Sequence, residues 1–170
     1  MADAPRQTVT RGGILPRIVE SWWAPRRVVR GLSAMPESGK LIVLMLAMLI
    51  FLIAQAPLRA REAQLDPSVP FDARMGGALL AVMFLMPLLA YGLASAMSLM
   101  MRATPWRLAP EHSRLALFWA LLAVAPAMLL WGIVAGMIGP GAALTLVQML
   151  AGIGFLGIWF GGISALTRRK

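Results

Sequence analysis

Four long stretches of this chain carry no charge, and they leave it few folds to adopt. Residues 41–58, 75–101, 115–138 and 142–166 are built mainly of Leu, Ile, Val, Met, Ala, Phe and Gly. A hydrocarbon layer about 30 Å thick is crossed by about 20 apolar residues in a helix, because backbone N–H and C=O groups must pair internally there. The chain as a whole is 59% hydrophobic with a mean hydropathy of +0.76. Soluble domains sit at roughly 45–50% apolar residues. A chain of 170 residues has no core large enough to enclose that excess. The expected fold is an all-α integral membrane bundle of about four transmembrane helices.

The spans differ in detail. The first, 41–58, is short, is closed by Pro57 and Arg59, and has Lys40 placed to snorkel outward. Pro87 is expected to kink the second, and Pro126 lies near the centre of the third. Gly139, Pro140 and Gly141 form a tight turn into the fourth.

Charge sets the expected orientation. The net charge is +9, carried almost entirely by arginine. The segment through Lys40 holds seven basic residues, the 102–114 loop holds three, and the C-terminus holds three. In a four-span model all of these share one side. The other side has only Arg59, Arg61 and Arg74, balanced by Glu62, Asp66 and Asp72. The positive-inside rule then places both termini in the cytoplasm. Ala-, Gly- and Arg-rich, Lys-poor usage suggests a bacterial chain, hence the cell inner membrane. No signal peptide is evident, and residues 1–170 are expected to be retained as made.

Ahead of the spans, 1–13 reads as a disordered tail and 14–38 as a basic amphipathic interfacial segment. Ile14, Leu15, Ile18, Val19, Trp22 and Trp23 fall on one stripe, with Arg17, Glu20 and Ser21 opposite. After Pro25, Val28, Val29 and Leu32 face one way and Arg26, Arg27 and Arg30 the other. Paired tryptophans and arginines suit a membrane surface, and the expected contacts there are Trp22, Trp23, Arg26, Arg27 and Arg30 with anionic head groups. The same basic charge in a soluble chain would point to nucleic acid; beside apolar spans it does not.

Chemistry-bearing residues are sparse. No cysteine is present, which excludes disulfides, thiolate metal sites and thiol nucleophiles. The one histidine, His112, follows Pro110 and Glu111 and reads as part of a helix start. Of thirteen methionines, all but Met1 and Met35 are spread through the spans as gap-fillers. No catalytic residue, metal ligand or cofactor is expected. Gln55 and Gln148 are the main polar side chains within the spans and are expected to bond between helices. Small residues four apart, Gly92 with Ala96, Gly132 with Gly136, and Gly157 with Gly161, mark expected packing faces.

Several segments carry a family resemblance over about residues 36–166: Ile53 to Ala60, Phe71 to Gly77, Leu88 to Gly92, and Gly139 to Gln148. With the basic N-terminal arm and the short-looped spans, they resemble the Yip1-domain membrane proteins, above all the short alphaproteobacterial type. The resemblance implies a helical membrane protein without catalytic residues. Eukaryotic members are usually given five spans and are associated with small GTPases and vesicle traffic, whereas this chain shows four spans. A bacterium lacks that traffic, so the partner is not carried over. The expected function is a scaffold or accessory subunit of a membrane complex, bound to lipid and to a protein partner or a second copy. The alternative is a small transporter or channel component.

Overall fold

The computed structural model describes residues 13–104 and 106–169. The tail expected at 1–13 therefore lies, apart from Gly13, outside the described residues, as does Lys170. The helices are α1 (Ile14–Glu20), α2 (Pro25–Gly31), α3 (Glu37–Leu65), α4 (Phe71–Leu80), α5 (Met86–Arg102), α6 (Pro110–Met137) and α7 (Ala142–Leu166). Five residues in a π turn, Ala81–Leu85, join α4 to α5 as one span. Four helical units, Glu37–Leu65, Phe71–Arg102, Pro110–Met137 and Ala142–Leu166, are long and apolar enough to cross a membrane. The chain is an all-α, multi-pass membrane bundle.

The prolines act differently from the sequence expectation. Pro57 does not close the first span: α3 continues through it to Leu65. Arg59 explains the continuity, because it donates to Gln55 Oε1 at 2.8 Å and to Glu62 Oε2 at 2.9 Å, bridging the helix across the proline. Pro87 is accommodated by the π turn just before it. There the Met86 N–H reaches back to the Ala81 carbonyl, which widens the turn where a proline ring would otherwise strike the preceding carbonyls. Pro126 stays inside α6 without ending it.

The spans run up, down, up and down, with α6 at the hub. It packs on α3, α5 and α7, and 56% of its apolar window is buried against 17% for α7. The two helices α3 and α6 start together at the arginine-rich end, where Arg114 Nε pairs with Glu37 Oε1 and Lys40 Nζ with Glu37 Oε2 at 2.9 Å. Lys40 does not snorkel outward; its side chain is only 5% exposed, folded over Glu37. A two-residue antiparallel pairing of Trp106–Arg107 with Arg168–Arg169 ties the loop before α6 to the end of α7. These ties place the starts of α3 and α6 together at one end, and join the loop before α6 to the end of α7.

At the opposite end, Gly139 turns the chain with φ +88°, a conformation open to glycine and unfavourable for other residues. The Arg61 guanidinium lies against Gly139 and donates to the Gly136 carbonyl at 3.3 Å. A cation there satisfies the open carbonyl end of α6 from a neighbouring helix.

Candidate functional site

The segment expected to lie flat on the membrane surface is instead folded into the bundle. The break between α1 and α2 brings Ser21 and Trp22 to the middle of the third and fourth spans. Trp22 Nε1–H donates to the Ala123 carbonyl at 3.1 Å, and its ring lies over Gly154, where an added Cβ would sit 2.6 Å from it. Ala123 is at the midpoint of α6 and Gly154 at the midpoint of α7.

Ser21, assigned to the polar face, is fully buried. Its hydroxyl donates to the Arg17 carbonyl at 2.7 Å and accepts from Trp119 Nε1–H at 2.8 Å. Both needs of the hydroxyl are met, so burial leaves nothing unpaired. The outward residues of this segment are Ile14, Leu15, Val19 and Trp23, with Trp23 70% exposed. A lipid environment accepts such a face as readily as a core does, which is why the stripe did not dictate the docked side. The correction is that the apolar stripe splits: Ile18 is buried and Trp22 inserted, while the rest face outward.

Helix α2 then climbs along α7 toward the arginine-rich end. Pro25 sits against Gly161, where a Cβ would come within 2.8 Å of the ring, and Val29 packs on Gly162 beside Ala116. Arg26, Arg27 and Arg30 are exposed on the outer side of α2. Arg27 makes one loose pair, 3.8 Å to Glu20.

The small residues divide sharply. Gly132 and Gly136 admit α3 so closely that a Cβ on Gly132 would sit 1.8 Å from the Ala54 carbonyl oxygen, and one on Gly136 2.5 Å from Pro57. Gly161 receives Pro25. Gly92 and Gly157 have open space at their Cβ positions, and Gly92 and Ala96 face outward.

Among the described residues, neither Gln55 nor Gln148 bonds between helices. Gln55 is engaged within its own helix by Arg59, and Gln148 has no hydrogen bond among the described residues. It lies exposed in an apolar groove of about 350 Å³ lined with Phe51, Val124, Met128, Trp131 and Phe155. Interhelical bonding comes instead from Trp22, expected at the membrane surface, and from Trp119 and Ser113, which the sequence did not single out. Ser113 Oγ–H donates to the Ala94 carbonyl at 2.7 Å, in addition to the Trp119 and Trp22 bonds. Serine near a span end was the available signal, though a weak one, since serines also bond within their own helix.

Two further depressions flank α2. One, about 390 Å³ and apolar, is lined by Trp22, Pro25, Leu150, Ile153, Gly154 and Gly157. The other, about 380 Å³ and half polar in its lining, lies at the arginine-rich end among Arg30, Ser33, His112 and Thr167. Among the described residues no three His, Asp or Glu side chains converge as metal ligands.

At the end away from the arginine-rich loops, Arg74 bonds to Asp66 at 3.0 Å and stands 3.7 Å from Glu62. Asp66 also accepts from the Ser68 hydroxyl and backbone N–H, and these bonds, with Arg74, hold its carboxyl below the usual aspartate range. The mixed charges there are local ion pairs. No family model, curated protein or solved structure matches the chain, so the likeness to Yip1-domain proteins rests on the segments quoted above alone.

Proposed function

We propose that this chain is a non-enzymatic scaffold or accessory subunit of a bacterial inner-membrane complex, with both termini on the cytoplasmic side. The observation that carries the reading is the one-sided packing of the bundle. Helix α6 is wrapped, whereas only 17% of the α7 window and 28% of the Phe71–Arg102 window is buried. Between them these helices present Leu88, Leu99, Met100, Leu146 and Phe160 outward, along with the open face at Gly92 and Ala96. Small residues with no described residue against them allow a further helix to approach closely. The arginine-rich end suits an anionic leaflet, where each arginine contributes about 1 kcal/mol. A transport pathway is less well supported, because Gln55 is committed to Arg59 and Lys40 to Glu37 at a helix end. The Yip1-domain likeness agrees with a non-catalytic role.

The test is purification of the tagged chain in mild detergent at native expression level, followed by mass spectrometry. A stoichiometric membrane complex is the expected result. Recovery of the chain alone, with no protein partner and no second copy, would overturn the scaffold reading.

A further inference from the structure

We infer that the α2–α7 face binds one phospholipid with an anionic head group: its phosphate at the cleft of Arg30 and His112, an acyl chain in the groove beneath Trp22. The inference rests on the reading that the arginine-rich end meets an anionic leaflet, and replaces a diffuse surface attraction by a defined site.

Three observations converge on it. First, the cleft has the right chemistry: a guanidinium, an imidazole, and the hydroxyls of Ser33 and Thr167 share one space of about 380 Å³. The side chains of Arg30 and His112 make no hydrogen bond or ion pair with another described residue, so their donors are open to a ligand. An arginine fork matches a phosphodiester in both charge and geometry.

Second, the two depressions share a face of α7. Leu150, Gly154, Gly157, Gly161 and Ala165 recur at three- and four-residue spacing and form one stripe. The first three of these line the apolar groove, Ala165 lines the cleft, and Gly161 seats Pro25 between them.

Third, the depths fit. Gly154 is at the midpoint of α7 and Leu166 is at its end, twelve residues on. At 1.5 Å per residue the cleft stands roughly 18 Å from mid-span. A phosphate stands about that far from the bilayer centre when half of a core roughly 30 Å thick, plus part of the head-group layer, lies between. The groove lining is almost wholly Leu, Ile, Gly, Pro and indole, suited to a methylene chain. Gly157, with nothing within 4 Å of its Cβ position, leaves the groove floor open.

The experiment uses the full chain reconstituted into vesicles of equal parts phosphatidylglycerol and phosphatidylcholine, then extracted in mild detergent. Lipid retained per protein is read by native mass spectrometry. The wild-type chain is expected to keep one phosphatidylglycerol in preference to phosphatidylcholine. Arg30→Gln removes a charge-assisted bond to the phosphate and should weaken retention about tenfold. Arg26→Gln removes the same charge from the same helix outside the cleft and should leave retention within about twofold. Gly157→Leu places a side chain into the groove from a Cβ position with no described atom within 4 Å, and should lower retention without lowering the thermal melt. Millimolar inorganic phosphate should not displace the lipid.

Equal losses from Arg30→Gln and Arg26→Gln would overturn the site and leave only a diffuse basic surface. Displacement by inorganic phosphate, with Gly157→Leu silent, would reduce the site to a free-anion cleft and overturn the lipid assignment. No preference for phosphatidylglycerol at all would overturn both the site and the anionic-leaflet reading beneath it. The scaffold reading would stand or fall separately, on the co-purifying protein.

Discussion

Replacing Gly132 by alanine tests the closest approach in the bundle. An added Cβ would lie 1.8 Å from the Ala54 carbonyl oxygen and 2.7 Å from its carbon, whereas side-chain carbons almost never come within 3.0 Å of a neighbour. Relief needs α3 to retreat by more than an ångström, and the obstructing atoms are backbone, which no rotamer change can move. The contact continues one turn on at Gly136 and Pro57, so the retreat would open that contact too. Overpacking of this kind costs about 1–3 kcal/mol, and a backbone obstacle belongs at the upper end. For a chain of this size that is roughly 6–12 °C in melting temperature. The control is Gly92→Ala, where the space is open and the helix interior gains up to about 1 kcal/mol from losing glycine. The assay is thermal unfolding of both variants in one detergent, followed by circular dichroism. If Gly132→Ala melts within a degree or two of Gly92→Ala, the α3–α6 approach is not as drawn.

Ser21→Ala should cost about 1–3 kcal/mol by stranding the buried Trp119 N–H, and Trp119→Phe should cost much less on the Ser21→Ala background than on the wild type. The measurement is a double-mutant cycle of melts, and additive costs would refute the bond. Because the chain has no cysteine, Ser68→Cys and Ala103→Cys can be labelled singly with a membrane-impermeant maleimide; opposite sides are expected, and same-side labelling would break the four-span topology. Asp66 has a lowered pKa in the folded chain, so its bonds to Ser68 and Arg74 contribute at and above the ordinary aspartate value, near pH 4, and are lost as pH falls through the depressed value. Amide exchange at Ser68 should therefore run slower than its intrinsic rate at neutral pH and reach that rate only below about pH 4; loss of protection at higher pH would contradict the assignment.

The spans were legible because hydropathy over 20 residues is a strong signal; the fourth coincides with α7 at both ends, and the third departs by five residues at its start and one at its end. In the first, Pro57 reads as an end because a proline is normally a helix boundary. What carries α3 onward is Arg59 reaching both ways along the helix, a three-residue arrangement that periodicity does not register. The N-terminal segment departs from its sequence expectation for a different reason. Its amphipathic pattern was assigned to a water interface, yet its polar face contains Ser21, a group small enough to be fully satisfied inside. At the cleft, His112 was rightly assigned to a helix start, but its proximity to Arg30 depends on α2 lying along α7, which no local pattern encodes.

Hydropathy is silent on which face of a membrane helix is buried, because lipid tails and leucine are equally apolar. Two of the spans make the point: both are apolar enough to cross a membrane, yet α6 is the most enclosed of the four and α7 the least. Residue size carries the information instead, but only where a partner surface exists to use it. Gly132, Gly136, Gly154 and Gly161 each admit a specific neighbour, whereas Gly92 and Gly157 share the same spacing and meet nothing. A small residue thus permits close approach without requiring it. The occupied positions cluster where α3 and the α1–α2 segment meet α6 and α7, and the vacant ones lie on the outer faces of α5 and α7. Those vacant positions are where a lipid chain or a further helix can approach most closely, and it is there that the chain's function is best sought.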